Sequence, residues 1–165
     1  MVVTTKKQLF LDLDGVFANF EQHYLDIFGH IHNSISDWKM WRNINSNENW
    51  WTTMLKFEYF DDMWNELKIY NPTIITGCPK TNYEEASIGK KIWAKEHFDE
   101  NVPVITCLSK DKPLFMKNKG DILIDDMEKN CKRWNEAGGV AIQFFPENWK
   151  SVVDTIHEIM NNNEN

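Results

Sequence analysis

The sequence predicts a doubly wound α/β fold, in which a parallel sheet of about five strands carries helices on both faces. Five short apolar segments rich in isoleucine, valine and leucine lack clean polar–apolar alternation, which is typical of strands buried on both faces. Helical patterns separate the later segments. Because a strand, a helix and a second strand in succession favour a parallel pair, we expect the strand order 3-2-1-4-5.

The predicted strands are short and end in polar or turn residues. They cover residues 8–12, 72–76, 102–107, 121–125 and 140–144. The predicted helices cover residues 81–98, 128–136 and 146–160. In the first of these helices, Ile88, Ile92 and Trp93 share the face predicted to be buried. The second is expected to stop at Gly138 and Gly139, a common helix C-terminal signal.

The interval between the first two strands is too long for a single crossover. We interpret residues 16–70 as a small helical cap inserted into a sheet domain of residues 1–15 and 71–165. A plain layer of two helices on the sheet is the alternative. The interval holds five of the eight tryptophans, namely Trp38, Trp41, Trp50, Trp51 and Trp64.

Composition limits the class of protein. The chain has 165 residues, enough for one domain, with 42% apolar and 26% charged residues. A formal net charge of −7 without a basic block disfavours a long nucleic-acid partner. No apolar run approaches the roughly 18 residues of a membrane span.

The cysteines favour a reducing compartment. Cys78, Cys107 and Cys131 lack C-x-x-C spacing and are expected to be buried, reduced thiols. The first predicted strand begins at residue 8, which leaves little room for a targeting peptide, so we expect a cytoplasmic protein. The sequence leaves the oligomeric state open, with a homodimer as one alternative.

Polar side chains follow three of the predicted strands. Asp12 and Asp14 end the first strand in "DLDG", Thr76 ends the second in "IITG", and Asp125 and Asp126 end the fourth in "ILIDD". In doubly wound sheets, ligands bind beyond the carboxyl ends of the strands. If the second and fourth strands flank the first, Asp12, Thr76 and Asp125 converge on one edge.

Several carboxylates at one edge cannot all remain ionised unless a cation joins them. Oxygen ligands of this kind suit Mg²⁺, which commonly binds one or two carboxylates, water and a substrate phosphate. Lys110 and Lys112 follow the third strand in "SKDK" and supply positive charge. Taken singly, these features have simpler explanations, namely a turn, a helix cap and a surface lysine. Their order at matching strand ends favours a joint site.

These motifs together resemble the four motifs of the haloacid dehalogenase (HAD) superfamily of phosphohydrolases, in the same order. The resemblance covers the sheet domain and is weaker in the cap. "DLDGVFANF", "SKDK" and "GDILIDD" followed by "EKN" are most similar to the 5′(3′)-deoxyribonucleotidase branch.

The resemblance implies a phosphoryl transfer in two steps. Asp12 would attack phosphorus to form an aspartyl-phosphate, and Asp14 would act as general acid and then general base. Mg²⁺ would be held by Asp12, by the backbone carbonyl of Asp14 and by Asp125. Asp126 would lie behind these ligands and orient water on the metal.

The remaining motif residues are expected to contact the phosphoryl group. Thr76 and the N–H groups around Gly77 would donate to its oxygens. Lys112 would stabilise the transition state. Lys110 is the less favoured substitute, with direct phosphate contact as its other role.

The resemblance also implies a substrate, a small phosphate ester and first of all a nucleoside monophosphate. Phe20 would lie against the base, and Trp38, Trp41, Trp50 and Trp51 could complete a stacking slot. Packing of the cap core is the alternative for each tryptophan. Alternative functions are a phosphatase for another small metabolite, a polynucleotide 3′-phosphatase, and a phosphoacceptor module that does not hydrolyse its phosphate.

Overall fold

A computed structural model describes residues 6–162 and contains the predicted parallel sheet. The strands pair in the order β3-β2-β1-β4-β5, and every pair is parallel, so the predicted order is confirmed. Each strand differs from its predicted bounds by at most two residues at either end. The strands are β1 (Leu9–Leu11), β2 (Thr73–Gly77), β3 (Val104–Cys107), β4 (Ile122–Asp125) and β5 (Val140–Gln143).

Helices cover both faces of the sheet. They are α1 (Phe20–Phe28), α2 (Asp37–Asn45), α3 (Phe60–Leu67), α4 (Tyr83–His97), α5 (Glu128–Glu136) and α6 (Trp149–Asn161). The second predicted helix ends as expected, because Gly138 follows α5 with a φ of 98° that glycine adopts readily. In the described range, no helix combines the length and the apolar character needed to cross a membrane.

The two faces of the sheet bury different side chains, as strand alternation requires. Leu9 and Leu11 of β1 join the larger core, which also contains Trp93 of α4. Phe10 points to the other face and packs edge-on against Trp134 of α5, with ring centroids 5.2 Å apart. The predicted burial of the three cysteines is confirmed, and all three are free thiols.

The predicted orientation of α4 is wrong in part. Ile88 and Ile92 are 58% and 49% exposed, although Trp93 is buried as expected. The buried face instead contains Gly89 and Lys90. The reason is a close contact with the chain after α2, because a Cβ atom at position 89 would lie only 2.5 Å from the Cβ of Trp51.

This contact predicts the effect of Gly89→Ala on stability. Within a helix, alanine is normally more favourable than glycine by about 0.8–1 kcal/mol. Here the added methyl group would overpack the contact with Trp51, which typically costs about 1–3 kcal/mol. The net cost is up to about 2 kcal/mol, so we expect the Tm of Gly89→Ala to fall by up to roughly 8 °C in thermal unfolding. Ile88→Ala, at the neighbouring exposed position, is the control. A rise in the Tm of Gly89→Ala would contradict the packing argument.

Residues 16–70, predicted to be an inserted cap, form α1, α2, α3 and their connections. Trp50 is fully buried and belongs to the same core cluster as the sheet residues. Helix α3 packs against α6, and Tyr59 just before it stacks on Trp149 at 5.7 Å. The division into cap and sheet domain stays a prediction, in which α1 and α2 are the parts beside the carboxyl edge of the sheet.

Candidate active site

The end of β1 places Asp12 at the carboxyl edge of the sheet, where its side chain is buried. The backbone N–H of Asp12 donates to the carbonyl of Ile124 at 2.9 Å, which fixes the strand end. Lys112 lies on the 3₁₀ helix after β3 and donates to Asp12 Oδ1 at 2.9 Å and to Asp125 Oδ2 at 2.6 Å. The ends of β1 and β4 and the segment after β3 therefore meet at one buried ion-pair cluster.

The charges in this cluster perturb one another strongly. Burial and the carboxylate of Asp125 raise the pKa of Asp12 to about 7, although Lys112 opposes the change. Burial alone would lower the pKa of Lys112, but the carboxylates of Asp12 and Asp125 outweigh it and the pKa is raised. Lys112 therefore remains charged, whereas burial and the neighbouring carboxylates disfavour ionisation of Asp12.

The two consecutive aspartates at the end of β4 have different surroundings. Asp125 is fully buried, and its carboxylate accepts hydrogen bonds from Lys112, from the Met127 N–H at 2.9 Å and from Asn130 Nδ2 at 3.1 and 3.2 Å. Asp126 is half-buried and lines the cavity described below. Asp126, which was predicted to lie behind the metal ligands, thus lies on the cavity wall. Asp125, which was predicted to be a ligand, is enclosed.

The glycine of "DLDG" is explained by Asp126. Gly15 has a φ of 80°, which favours glycine. A Cβ atom at this position would also lie 2.1 Å from Asp126 Oδ2. Burial, with the nearby carboxylates of Asp12, Asp125 and Asp14, raises the pKa of Asp126 to about 8. Gly15 therefore allows the turn after β1 to approach a carboxyl group that is already crowded by negative charge.

Three of these carboxylates form a group that could hold a cation. Ligand oxygens of Asp12, Asp125 and Asp126 all lie within 4.8 Å of one another. Burial and the neighbouring carboxylates raise the pKa values of Asp12 and Asp126, although Lys112 opposes the change. A hard divalent cation with oxygen ligands fits this donor set.

Asp14 has a separate partner that the sequence did not indicate. Its Oδ2 accepts a hydrogen bond from Lys90 Nζ of α4 at 2.6 Å. The Lys90 ammonium also donates to the Gly77 carbonyl at 2.7 Å and to Thr76 Oγ1 at 3.0 Å. Each acid of the Asp-x-Asp pair is therefore bound to its own buried lysine.

Gly77 at the end of β2 and Ser109 at the start of the 3₁₀ helix after β3 line the cavity, whereas Thr76 does not. Thr76 is fully buried, and its hydroxyl oxygen accepts from Lys90. Gly77 lies against Ser109, because a Cβ atom at position 77 would be 2.1 Å from Ser109 Oγ. The geometry gives no support to direct phosphate contact by Thr76 and makes Ser109 a candidate donor instead.

The acids open onto a cavity of about 550 Å³, a size typical of small-molecule sites. Asp12, Asp14, Lys112 and Asp126 lie on its wall. Apolar and aromatic side chains form much of the remainder, on both the α1–α2 side and the sheet side. They are Phe20, Met40, Trp41, Phe57, Met127, Phe144, Phe145 and Pro146.

No family model matches the chain, and no curated protein matches it. Several solved structures match the chain. A HAD family enzyme from Bacteroides thetaiotaomicron in a magnesium complex is 14% identical, with a TM-score of 0.52, over 88% of this chain and 97% of that one. The fold is that of the HAD family enzymes.

Two further solved structures have similar coverage. The wild-type Bacteroides enzyme in complex with magnesium and inorganic phosphate is 17% identical, with a TM-score of 0.50, over 90% of this chain and 99% of that one. A hydrolase from Streptococcus pneumoniae TIGR4 is 15% identical, with a TM-score of 0.49, over 91% of this chain and 100% of that one.

Within this HAD-type fold, only part of the predicted substrate site lines the cavity. Phe20, Trp41 and Gly77 line the cavity. Trp50 and Trp51 are buried in the core, and Trp38 is 66% exposed beneath Arg42. Lys110 is exposed and lies off the cavity wall, whereas Lys112 is buried in the ion-pair cluster. Trp38, Trp50, Trp51 and Lys110 do not line this cavity, and their contact with a ligand stays a prediction.

The structure adds residues to the site that motif reasoning missed. Asn130 of α5 binds Asp125 and lines the cavity; it lies in the "EKN" that supports the family resemblance. His32 and Glu21 form a pair at 3.5 Å beside Phe20. Lys90 had no sequence signal, because a lysine in an amphipathic helix is ordinarily on the solvated face.

Proposed function

We propose that this protein is a magnesium-dependent phosphatase that hydrolyses monoesters of small molecules, with nucleoside monophosphates as the preferred class. The observation that carries the proposal is the constellation of Asp12, Asp14, Lys112 and Asp126 on the wall of one cavity at the carboxyl edge of the sheet. A nucleophilic carboxylate, a second acid two residues away and a buried lysine are the groups that a phosphoryl transfer through an aspartyl-phosphate requires.

In this proposal Asp12 is the nucleophile. Lys112 donates a hydrogen bond to Asp12 Oδ1. Asp12 Oδ2 has no hydrogen-bond partner among the described residues and is available to attack phosphorus. Asp14 donates a proton to the leaving oxygen in the first step and accepts one from water in the second. The Lys112 ammonium and the backbone N–H of Gly77 stabilise the charge on the phosphoryl oxygens, whereas the Cys78 N–H donates to the Cys107 carbonyl at 2.7 Å.

The carboxylates of Asp12 and Asp126, with the Asp14 backbone carbonyl, are the proposed ligands of Mg²⁺. We assign Asp126 rather than Asp125 because Asp126 faces the cavity and Asp125 is occupied by Lys112, Asn130 and the Met127 N–H. When bound, the cation supplies the positive charge that the acids lack and neutralises phosphoryl oxygens. The magnesium and phosphate complex of the Bacteroides enzyme supports this choice of cofactor.

The cavity favours a single phosphate joined to a flat, largely apolar group. Lys112 is the one lysine or arginine on the wall within the described residues, which gives little to balance a second phosphate. Phe20, Trp41 and Phe57 provide aromatic surface on which a base could stack, an interaction worth about 1–3 kcal/mol. These features support the nucleoside monophosphate assignment.

A panel of phosphate esters tests the proposed function. With Mg²⁺, we expect kcat/KM for nucleoside monophosphates to exceed that for sugar phosphates and glycerol phosphate by at least about tenfold, the effect of one stacking contact. A preference for a sugar phosphate would indicate a phosphatase for another metabolite. A preference for a 3′-phosphorylated oligonucleotide would indicate a polynucleotide phosphatase. Stable labelling of Asp12 without turnover would indicate a phosphoacceptor module.

Phe20→Ala tests base stacking directly. Phe20 begins α1, lines the cavity and lies 6.5 Å from the Trp41 ring. We expect its loss to lower kcat/KM for nucleotides about tenfold and to leave glycerol phosphate, which has no ring to stack, nearly unchanged. Trp38→Ala is the matched control, since Trp38 lies outside the cavity. Equal losses on both substrates in Phe20→Ala would assign Phe20 to packing and would remove the support for a nucleotide substrate.

A further inference from the structure

The Lys90 side chain is the most unusual feature of the site outside the roles proposed above. It projects from α4, is 3% exposed and donates to three acceptors: Asp14 Oδ2, the Gly77 carbonyl and Thr76 Oγ1. An ammonium group has three donors, so all of them are used. Lys90 does not line the cavity and so does not contact a ligand there.

The buried Lys90 ammonium needs hydrogen-bond acceptors and nearby negative charge, because an incompletely paired buried charge is costly. The Trp51 ring covers the Lys90 ammonium, which lies 4.8 Å from the ring centroid. Trp51 can approach so closely only because residue 89 is glycine. Gly89, Trp51 and the three acceptors therefore form a fitted environment around one ammonium group.

The effect of this environment is to fix the orientation of Asp14. Its Oδ2 is bound by Lys90, whereas Oδ1 has no hydrogen-bond partner among the described residues. Asp14 also lines the cavity. The same ammonium group binds the carbonyl of Gly77, so it joins Asp14 to the end of β2, which also lines the cavity.

We propose that Lys90 is a positioning residue, which holds Asp14 so that Oδ1 faces the leaving-group oxygen. It also fixes the position of Asp14 relative to Gly77 at the end of β2. This inference rests on the proposed phosphatase function. An acid acts efficiently only within hydrogen-bond reach of the group that it protonates, and small displacements can reduce the rate about a hundredfold. A purely structural Lys90 would instead support folding without any link to proton donation.

Leaving-group dependence separates these two roles. We expect Lys90→Met to lower kcat on an alkyl ester such as glycerol phosphate at least about tenfold more than on p-nitrophenyl phosphate, whose leaving group needs little protonation. Asp14→Asn should show the same pattern. In the Asp14→Asn protein, adding Lys90→Met should change kcat on the alkyl ester less than about twofold, because the residue that it positions is already disabled.

Two further variants keep the test interpretable. Lys91→Met, at the exposed neighbouring position, should leave both activities unchanged. Lys90→Gln retains a hydrogen-bond donor and replaces Lys90→Met if that protein does not fold, with the same pattern expected. Equal losses on both esters, additive effects with Asp14→Asn, or unfolding of both Lys90 variants would overturn the positioning role alone. A wild-type protein that hydrolyses no phosphate ester would overturn the proposed function as well.

Discussion

Asp12→Asn is expected to abolish phosphatase turnover, with a loss of at least about a thousandfold in kcat. An amide oxygen is a poor nucleophile, and among the described residues only Asp12 is a carboxylate that both accepts from Lys112 and lines the cavity. The substitution preserves the size of the side chain, so the protein should fold. Steady-state kinetics on the preferred ester measures the loss, and circular dichroism verifies the fold.

Covalent labelling gives an independent measure of the same prediction. Wild-type protein mixed briefly with a ³²P-labelled ester should retain label at Asp12, and Asp12→Asn should retain none. Asp154→Asn, an exposed aspartate on α6, is the control and should behave like wild type. A folded Asp12→Asn protein with more than about 1% of wild-type turnover would refute the attack by Asp12.

The sequence allowed the fold and the location of the candidate site to be predicted, because both depend on local patterns. Buried strands without alternation, separated by helices, restrict the sheet to few topologies, and the observed order is among them. Parallel strands place their carboxyl ends at one edge, so the motifs after β1 and β4 had to meet there. Strand pairing therefore determined the neighbourhood of Asp12 and Asp125 before any side-chain detail was known.

Side-chain orientation within that neighbourhood could not be predicted in the same way. Asp125 and Asp126 are adjacent in sequence, and only the turn into α5 determines which one faces the cavity. The face of α4 that is buried depends on the contact between Gly89 and Trp51, which are 38 positions apart in the chain (89 − 51). Lys90 was missed for that reason. The abundance of tryptophan indicated an aromatic region without showing that Trp41, rather than Trp50, lines the cavity.

Removal of magnesium is the second change expected to abolish activity. A chelator should stop turnover and added Mg²⁺ should restore it, because Asp12 and Asp126 are not fully ionised at neutral pH without an additional cation. Asp126→Asn should require at least about tenfold more Mg²⁺ for half-maximal activity. Asp125→Asn is the comparison, since it disturbs the pairing of Lys112 and should lower the Tm with or without Mg²⁺. Full activity in chelator would refute the metal assignment.

Thermal stability tests the same assignment without any turnover. In the metal-free protein, the pKa of Asp126 is about 8, raised by burial and the neighbouring carboxylates above its unfolded value of 3.8. The folded state therefore binds more protons than the unfolded state between these pH values, so Asp126 makes the free energy of unfolding fall as the pH rises from about 4 to about 8.

In chelator at pH 8.5, Asp126→Asn should thus have a higher Tm than wild type. At pH 5 this advantage should be smaller. Added Mg²⁺ should reverse the order at pH 8.5, because it stabilises the protein that binds it more tightly. If Asp126→Asn is less stable than wild type in chelator at pH 8.5, Asp126 is a structural residue and not a carboxylate held for a cation.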